Sequence, residues 1–432
     1  MKRVALLAYY FPPLGGAGVQ RAVTLARRLP ALGWEPVVVT GPAAGGDRWS
    51  PHDAGLGAGL ERLEVIRVAG PEPPRGEGRA ERWLRIRSDW ARWWADGAAA
   101  ALAGLDVDAI LATLSPFEGA GAAARAAARL GKPWVADLRD PWALDEMFVY
   151  PSRLHRRAEL RTMERALASA TAIVMNTPDA RHAVRETFPA LEPRLTAAVP
   201  NGFDPEDFAA LPTARSDEAF RLVHTGYLHT ELAGGGLRDR LRETLGGSLH
   251  DVEIGARSQV FLLQAIDRLR AEEPALGERI ELHLAGVMSE SDLESSERPY
   301  VKRLGYLSHD DTVGLMRSAD ALFLPMHDLP AGIRARIVPG KTYEYLGARR
   351  PILAAVPDGD ARDLLERAGN AALCRPRDVD GIVEALRALV RGRFPAEPRP
   401  SVVAQYERRV LATRLASILD DATGVQRTAA AA

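Results

Sequence analysis

Short apolar runs alternate with longer amphipathic stretches along almost the whole chain. The N-terminal part reads VALLAYY, then VQRAVTLARRL, then EPVVVT. Strand-length runs that alternate with helix-length segments are typical of βαβ units, whose strands are parallel. Right-handed crossovers join such units into a doubly wound sheet with helices on both faces. The pattern therefore predicts an α/β fold.

The alternation is interrupted once, which indicates two domains. LEVIRVA, DAILATL, PWVADL, AIVMN and TAAVPN are the further strands of a first series, and FRLVHTGYL opens a second one after an aperiodic loop. At 432 residues the chain also exceeds what one hydrophobic core supports. We predict an N-terminal domain over 1–205, a C-terminal domain over 206–400, a helix over 401–421 that packs back on the body, and a mobile tail over 422–432. Residues 229–255, rich in glycine, are interpreted as an insertion.

Charge and composition exclude several classes of protein. The 56 basic and 57 acidic residues leave a net charge of −1, so no global field attracts nucleic acid. Cys374 is the one cysteine, which excludes an intramolecular disulfide and fits a reducing cytoplasm. No apolar run reaches the roughly 18 residues that a membrane-spanning helix requires. We therefore expect a cytoplasmic protein, soluble or peripheral at the inner face of the membrane.

A glycine-rich turn follows the first predicted strand, in YYFPPLGGAGVQRA. Gly15, Gly16 and Gly18 permit positive φ and a close approach of backbone N–H groups to an anion at a helix N-terminus. A diphosphate fits such a turn, although the same turn occurs in α/β folds for geometric reasons alone. The spacing is not GxGxxG, and no acidic residue follows the second strand to hold a ribose, which disfavours a dehydrogenase.

A second cluster lies in IVPGKTYEYLGARRPILA. Pro339 and Gly340 lead into a predicted helix with Lys341 in its first turn and Glu344 three residues later, so that one face presents a cation and a carboxylate. Lys341 is suited to neutralising phosphate oxygens, and Glu344 to accepting hydrogen bonds from ribose hydroxyls. A surface ion pair is the alternative interpretation.

Charged side chains follow the predicted strand PWVADL in DLRDPW. This places Asp137, Arg139 and Asp140 at the carboxyl edge of the first sheet, where α/β enzymes bind ligands. Asp137 or Asp140 is the candidate to contact an acceptor hydroxyl. Alternatively, Asp140 caps the next turn and Arg139 pairs with Asp137. The histidines lack zinc-site spacing, and the triplets Asp106-Val-Asp108, Asp358-Gly-Asp360 and Asp378-Val-Asp380 are interpreted as caps, so we predict no metal site.

Taken in order, these segments resemble the family-four-type retaining glycosyltransferases and their close bacterial relatives. The resemblance rests on YYFPPLGGAGVQRA, DLRDPWA, NGFDPEDF, HTGY, HLAG, LGYLSHDDTVGLMRSADALFLP and KTYEYLGARRPIL, and it covers nearly the whole chain. It implies the GT-B fold, in which two Rossmann-like domains face each other across a cleft. It also implies an enzyme that moves a hexose-like unit, with retention and without a metal, from a nucleotide sugar to a glycan, a lipid-linked intermediate or a natural product. The nucleotide sugar is a co-substrate based on UDP, GDP or dTDP, and no cofactor is implied.

Roles for individual residues follow from the resemblance. Glu344 would bind the ribose of the donor, and Lys341 with Arg257 would bind its diphosphate. The Gly15–Gly16 turn would face the transferred sugar and the diphosphate from the N-terminal domain.

The chain departs from the family at one position. Many relatives carry a glutamate eight positions before Glu344, where this chain has Arg336. The loop IRARIVPGK is therefore expected to present Arg334 or Arg336 to phosphate or to an acidic sugar. Two other functions stay open: a nucleotide-sugar epimerase or hydrolase on the same fold, and a non-catalytic protein that binds a sugar nucleotide or glycan within an assembly complex.

The segment RAERWLRIRSDWARWWADG combines arginine with Trp83, Trp90, Trp93 and Trp94. An interfacial amphipathic helix has this composition, so peripheral membrane contact through the Trp83–Trp94 segment is one interpretation. Tryptophans at helical spacing that pack in the domain core are the alternative interpretation.

Overall fold

The computed structural model describes residues 1–43, 52–74, 83–209, 218–232 and 245–424. Contacts divide the chain into two units, the first made of Met1–Asp145, Tyr150–Asn201 and Arg408–Ala432 and the second of Glu146–Val149 and Gly202–Glu407. The second unit therefore includes a four-residue segment from the first half of the chain. Part of the predicted insertion, 233–244, and part of the predicted tail, 425–432, lie outside the described residues.

The first unit contains a six-stranded parallel sheet in the order β3-β2-β1-β4-β5-β6. Its strands are β1 (Lys2–Leu7), β2 (Trp34–Thr40), β3 (Glu64–Arg67), β4 (Ala109–Leu114), β5 (Trp134–Leu138) and β6 (Ala172–Met175). The helices described for it before the C-terminal one are α1 (Ala17–Arg28), α2 (Asp89–Ala103), α3 (Glu118–Leu130), α4 (Arg153–Leu167) and α5 (Pro178–Thr187). The strand order reverses between β1 and β4, and ligands of doubly wound sheets bind at such a switch point.

Alternate residues of β1 point into two separate cores, as expected for a strand covered on both faces. Ala5 and Leu7 belong to the cluster that contains Trp94. Val4 and Leu6 belong to the cluster that contains Trp34. The register is fixed along the whole strand, from Lys2 opposite Trp34 to Leu7 opposite Val39 in β2.

The second unit repeats this architecture with the order β12-β11-β10-β7-β8-β9, again parallel throughout. Its strands are β7 (Phe220–Thr225), β8 (Ile280–Ala285), β9 (Val301–Gly305), β10 (Ala321–Pro325), β11 (Ile352–Ala355) and β12 (Ala371–Cys374). Its helices are α6 (Val260–Glu272), α7 (Pro274–Gly277), α8 (Glu290–Ser295), α9 (His309–Arg317), α10 (Gly340–Ala348), α11 (Asp360–Ala368), α12 (Val379–Val390) and α13 (Pro400–Val403). The switch point lies between β10 and β7. The predicted class, two doubly wound α/β domains, is confirmed.

Three details of the strand prediction are wrong. The apolar pattern indicates no strand at β9 or β12, which lie at the two edges of their sheet. The predicted strand TAAVPN does not form, although Thr196 and Val199 donate single backbone hydrogen bonds to Ile173 and Met175 beside β6. Pro200 has no N–H to continue this pairing, so the segment remains irregular.

The C-terminal helix α14 (Arg408–Ala422) packs in the first unit. Leu411, Leu415 and Leu419 lie in the cluster around Trp34. Asp420 accepts hydrogen bonds from Lys2 Nζ at 3.3 Å and from Trp34 Nε1 at 3.2 Å. Helix α14 therefore completes a core of the first unit.

The tryptophan-rich segment is mostly part of the core. Trp90 and Trp94 in α2 are 7% and 1% exposed, and Trp93 packs against the same cluster. Trp83, which precedes α2, is 56% exposed. Helix α2 therefore does not present its tryptophans as a membrane-binding face.

Candidate functional site

A lysine and a histidine meet at the switch point of the second sheet. His224 near the end of β7 is fully buried, and its Nδ1 lies 2.9 Å from the carbonyl oxygen of Phe323 in β10. Because a carbonyl oxygen only accepts, Nδ1 carries the proton and Nε2 is the acceptor. Lys341 Nζ donates to that Nε2 at 3.2 Å. A neutral imidazole thus positions the lysine ammonium.

Positive charge accumulates around this pair. Burial lowers the pKa of Lys341 well below its usual range, the Arg257 guanidinium lowers it further, and Glu344 opposes this. Burial also lowers the pKa of His224, with a further contribution from Lys341. A bound anion would offset the cost of keeping Lys341 charged, so the surroundings favour an anionic ligand.

Helix α10 begins beside the lysine, directly after Pro339. No side chain caps its first turn, and Gly340 and Lys341 are its first two residues. The N–H groups of an uncapped first turn, together with the helix dipole, favour an anion such as phosphate. Glu344 is partly buried and lies near enough to Lys341 to influence its pKa.

One glycine leaves room for the lysine side chain, and a second glycine leaves room for the backbone of the first. Gly226 has φ +95°, and a Cβ there would come within 3.1 Å of Lys341 Nζ. Gly286 has φ +140°, and a Cβ there would come within 2.6 Å of the Gly226 carbonyl oxygen. The turns after β7 (HTGY) and β8 (HLAG) therefore lie against each other. Lys341 in the first turn of α10 (GKTYE) lies at the same edge of the sheet.

Arg257 belongs to the same region of the second unit. It follows the short 3₁₀ turn Ile254–Ala256, and its carbonyl accepts a hydrogen bond from the backbone N–H of His229 at 2.9 Å. Its guanidinium lies 3.8 Å from Met147 Sδ and lowers the pKa of both Lys341 and His224. Its proximity to Lys341 agrees with the role expected for it, which stays a prediction.

The loop before α10 contacts a buried carboxylate from the segment 146–149, which sequence reasoning missed. Glu146 is 1% exposed, and its Oε1 accepts hydrogen bonds from the Arg336 backbone N–H at 3.0 Å and from His327 Nε2 at 3.1 Å. Burial alone would raise the pKa of Glu146, but the bonds with His327 and the backbone hold it below its ordinary value. A carboxylate therefore lies beside position 336, where many relatives have a glutamate. Arg334 pairs with Asp363 at 2.6 Å on the surface.

In the first unit, the glycine-rich turn and the segment DLRDPW meet. Gly16 has φ 90° and precedes α1, whose N-terminus has no side-chain cap, and Gly15 is buried beside it. A Cβ on Gly18 would come within 2.8 Å of Arg139 Nη1, so this guanidinium lies against the first turn of the helix. Arg139 Nε lies 3.4 Å from Asp140 Oδ2, and the Asp140 side chain is 38% exposed.

Asp137 is buried and paired with an arginine. It is 0% exposed, and Arg21 donates to its two oxygens at 2.7 and 2.6 Å. The same guanidinium donates to the Pro200 carbonyl at 2.9 Å. Because the fork of Arg21 occupies both oxygens in the interior, we infer a structural role for Asp137, and its contact with an acceptor stays a prediction. Asp137 therefore pairs with Arg21 and not with Arg139, the alternative considered from the sequence. Asp140 is the more accessible of the two candidates to contact an acceptor hydroxyl.

Within the described part of the chain, no group of three His, Cys, Asp or Glu side chains is arranged to hold a metal ion. Two members of the Asp-x-Asp triplets bind backbone instead: Asp108 accepts from Arg3 N and Asp378 from Gly381 N, each at 2.9 Å. In the same ranges, no helix combines the length and the apolar character required to cross a membrane.

Two family profiles match the chain, one in each half. Residues 15–202 match the family described as glycosyl transferase 4-like domain. Residues 247–392 match the family described as glycosyl transferases group 1. No significant match to a curated protein sequence was found.

Solved structures similar to this chain match over nearly its full length. Anabaena HepE in complex with UDP and glucose is 16% identical, with a TM-score of 0.62, and the match covers 98% of this chain and 100% of HepE. Sucrose-phosphate synthase from Thermosynechococcus elongatus is 14% identical, with a TM-score of 0.67 and coverage of 98% and 99%. UDP-GlcNAc 2-epimerase from Methanocaldococcus jannaschii is 9% identical, with a TM-score of 0.53 and coverage of 97% and 99%. These matches establish the two-domain GT-B fold.

Proposed function

We propose that this chain is a group 1 glycosyltransferase that takes a nucleotide sugar as donor and transfers a hexose unit with retention of anomeric configuration. The acceptor in this proposal is a hydroxyl group of a glycan, a lipid-linked intermediate or a natural product. The enzyme acts in the bacterial cytoplasm and does not depend on a metal. UDP is the first nucleotide to test, because HepE was crystallised with it.

The observation that supports this proposal is the cationic end of α10. Lys341 Nζ, Arg257 and the uncapped first turn of the helix converge on one region. When the sugar–phosphate bond breaks, negative charge develops on the departing diphosphate, and fixed cations and N–H groups stabilise it in the transition state. We assign the diphosphate to Lys341, Arg257 and the Pro339–Gly340 turn, and the ribose hydroxyls to Glu344.

On the acceptor side we propose a smaller role for side chains. Asp140, which is partly exposed, contacts the acceptor hydroxyl, and Arg139 orients its carboxylate. The Gly15–Gly16 turn faces the transferred sugar and its phosphate. The departing phosphate takes the acceptor proton, so the mechanism needs no dedicated side-chain base.

Arg336 and Glu146 together replace the family glutamate in this proposal. Arg336 N–H holds the Glu146 carboxylate beside the loop that precedes α10. The Arg336 side chain extends from the same position toward a donor phosphate or an acidic sugar. Arg334, which pairs with Asp363 on the surface, has no role in the proposal.

The test is a product analysis with and without acceptors. Purified protein is incubated with UDP-glucose and a panel of sugar and lipid-linked acceptors, and released UDP and products are followed by NMR. We expect UDP release that depends on an acceptor, and an α-linked product from the α-configured donor. A β-linked product would disprove retention. Free glucose without acceptor would indicate a hydrolase, and an isomerised nucleotide sugar an epimerase, either of which would replace the proposal.

A further inference from the structure

Helix α4 of the first unit carries a stripe of exposed arginines. Arg153, Arg157, Arg161 and Arg165 recur every fourth residue, and all four are exposed. With about 3.6 residues per turn, positions four apart lie along one face of a helix. Within the described ranges, none of the four has a carboxylate at ion-pair distance. We call this face the arginine stripe.

The stripe is unfavourable for the helix by itself, since like charges four residues apart repel each other. The nearby carboxylate of Glu159 does not relieve this repulsion. Its Oε2 accepts from Arg85 at 3.1 Å and its Oε1 from Trp142 Nε1 at 3.0 Å, both outside the stripe. A stripe of this kind is stabilised when an anionic surface lies against it.

Exposed apolar side chains adjoin the stripe. Leu154 lies within it and is 73% exposed, while Trp83, Leu84 and Ile86 are 56%, 70% and 47% exposed. Large apolar side chains exposed this close together mark an interaction surface.

The segment 83–86 is anchored to α4 through His155. The Trp83 carbonyl accepts a hydrogen bond from His155 Nε2 at 2.9 Å, and the two rings lie 4.9 Å apart. Arg85 Nη1 donates to the His155 carbonyl at 3.0 Å. Trp83 is therefore held at the flank of the arginine stripe.

We propose that the arginine stripe, with Leu154 and the segment 83–86, binds the surface of a bilayer that contains anionic phospholipid. Arginines bind the phosphate headgroups, and tryptophan and leucine enter the boundary between headgroups and acyl chains. A nucleic acid would use the charge but leave the apolar side chains uncovered. This contact differs from a membrane-binding α2, whose Trp90 and Trp94 are buried. The inference does not rest on the proposed sugar transfer.

The experiment is co-sedimentation of the full-length protein with vesicles of phosphatidylcholine, with and without phosphatidylglycerol. We expect binding to the anionic vesicles that weakens as salt rises, because the charges are screened. The variant R157E/R161E should lower vesicle affinity about tenfold or more, and W83S/L84S should also lower it. R62E/R414E, with the same change of charge at exposed positions elsewhere in the unit, should bind like the wild type.

Circular dichroism and the thermal midpoint establish that each variant is folded. Should a variant not fold, charge-neutral R157Q/R161Q and W83Q take its place and should again weaken binding. Absence of wild-type binding to anionic vesicles would overturn the inference. Equal losses of vesicle affinity in R157E/R161E and R62E/R414E would also overturn it. Full competition by inorganic phosphate at the concentration of the anionic lipid would do the same, because it would assign the stripe to a free anion.

Discussion

Replacing Lys341 with methionine will lower kcat/KM for sugar transfer about 10²–10³-fold, as removal of one preorganised donor to a developing charge does in other enzymes. Methionine keeps the unbranched stem that fits against Gly226 but removes the ammonium. The departing diphosphate then loses the cation that His224 holds at 3.2 Å. Steady-state kinetics with varied donor concentration measure the loss.

Lys302→Met is the matched control, since Lys302 is an exposed lysine on β9 of the same unit. It should leave kcat/KM within about twofold, because an exposed side chain away from the reacting atoms adds no transition-state stabilisation. Equal rates for Lys341→Met and the wild type would remove Lys341 from the reaction and leave it as a structural partner of His224.

Replacing Asp137 with asparagine will destabilise the first unit by about 3–5 kcal/mol, the range observed when one partner of a buried ion pair is removed. Asparagine fits the same volume but leaves the buried Arg21 charge without its bidentate carboxylate. Urea unfolding followed by tryptophan fluorescence measures the change in the free energy of unfolding.

Asp96→Asn provides the comparison in the same unit. Asp96 is 70% exposed in its side chain and pairs with Arg125 at 2.9 Å. Exposed pairs of this kind contribute about 0.2–1 kcal/mol, so the two variants should differ several-fold in their effect. If Asp137→Asn unfolds like the wild type but loses acceptor-dependent turnover, Asp137 acts in catalysis and its structural assignment fails.

The sequence predicted the fold because most strands are fully buried and therefore apolar. The edge strand β9 has no continuous apolar run, since Lys302 and Arg303 are exposed and interrupt it, so it was not predicted. The segment TAAVPN shows the reverse error. It is apolar enough to be predicted as a strand, but Pro200 and the lack of continued pairing keep it irregular.

From residue spacing alone, the candidate site was predictable only where it is local in sequence, and Arg257 was expected there only from the family resemblance. Lys341 and Glu344 share one helix, so their spacing alone placed them together. His224 needed knowledge that β7 lies beside β10, where Phe323 fixes its tautomer. Glu146 needed knowledge that residues 146–149 belong to the second unit. No sequence motif indicates either the pairing of β7 with β10 or the position of residues 146–149.

A nucleotide-binding measurement on wild type, Glu344→Ala and Glu278→Ala tests most directly whether the α10 end holds the donor. Thermal unfolding is followed with UDP, GDP, ADP, dTDP and CDP, because a ligand that binds only the folded state raises the midpoint. We expect a rise with one nucleotide, abolished in Glu344→Ala and retained in Glu278→Ala, whose carboxylate is exposed elsewhere in the unit. An equal rise in wild type and Glu344→Ala, or none with any nucleotide, would contradict a donor site at this end of α10.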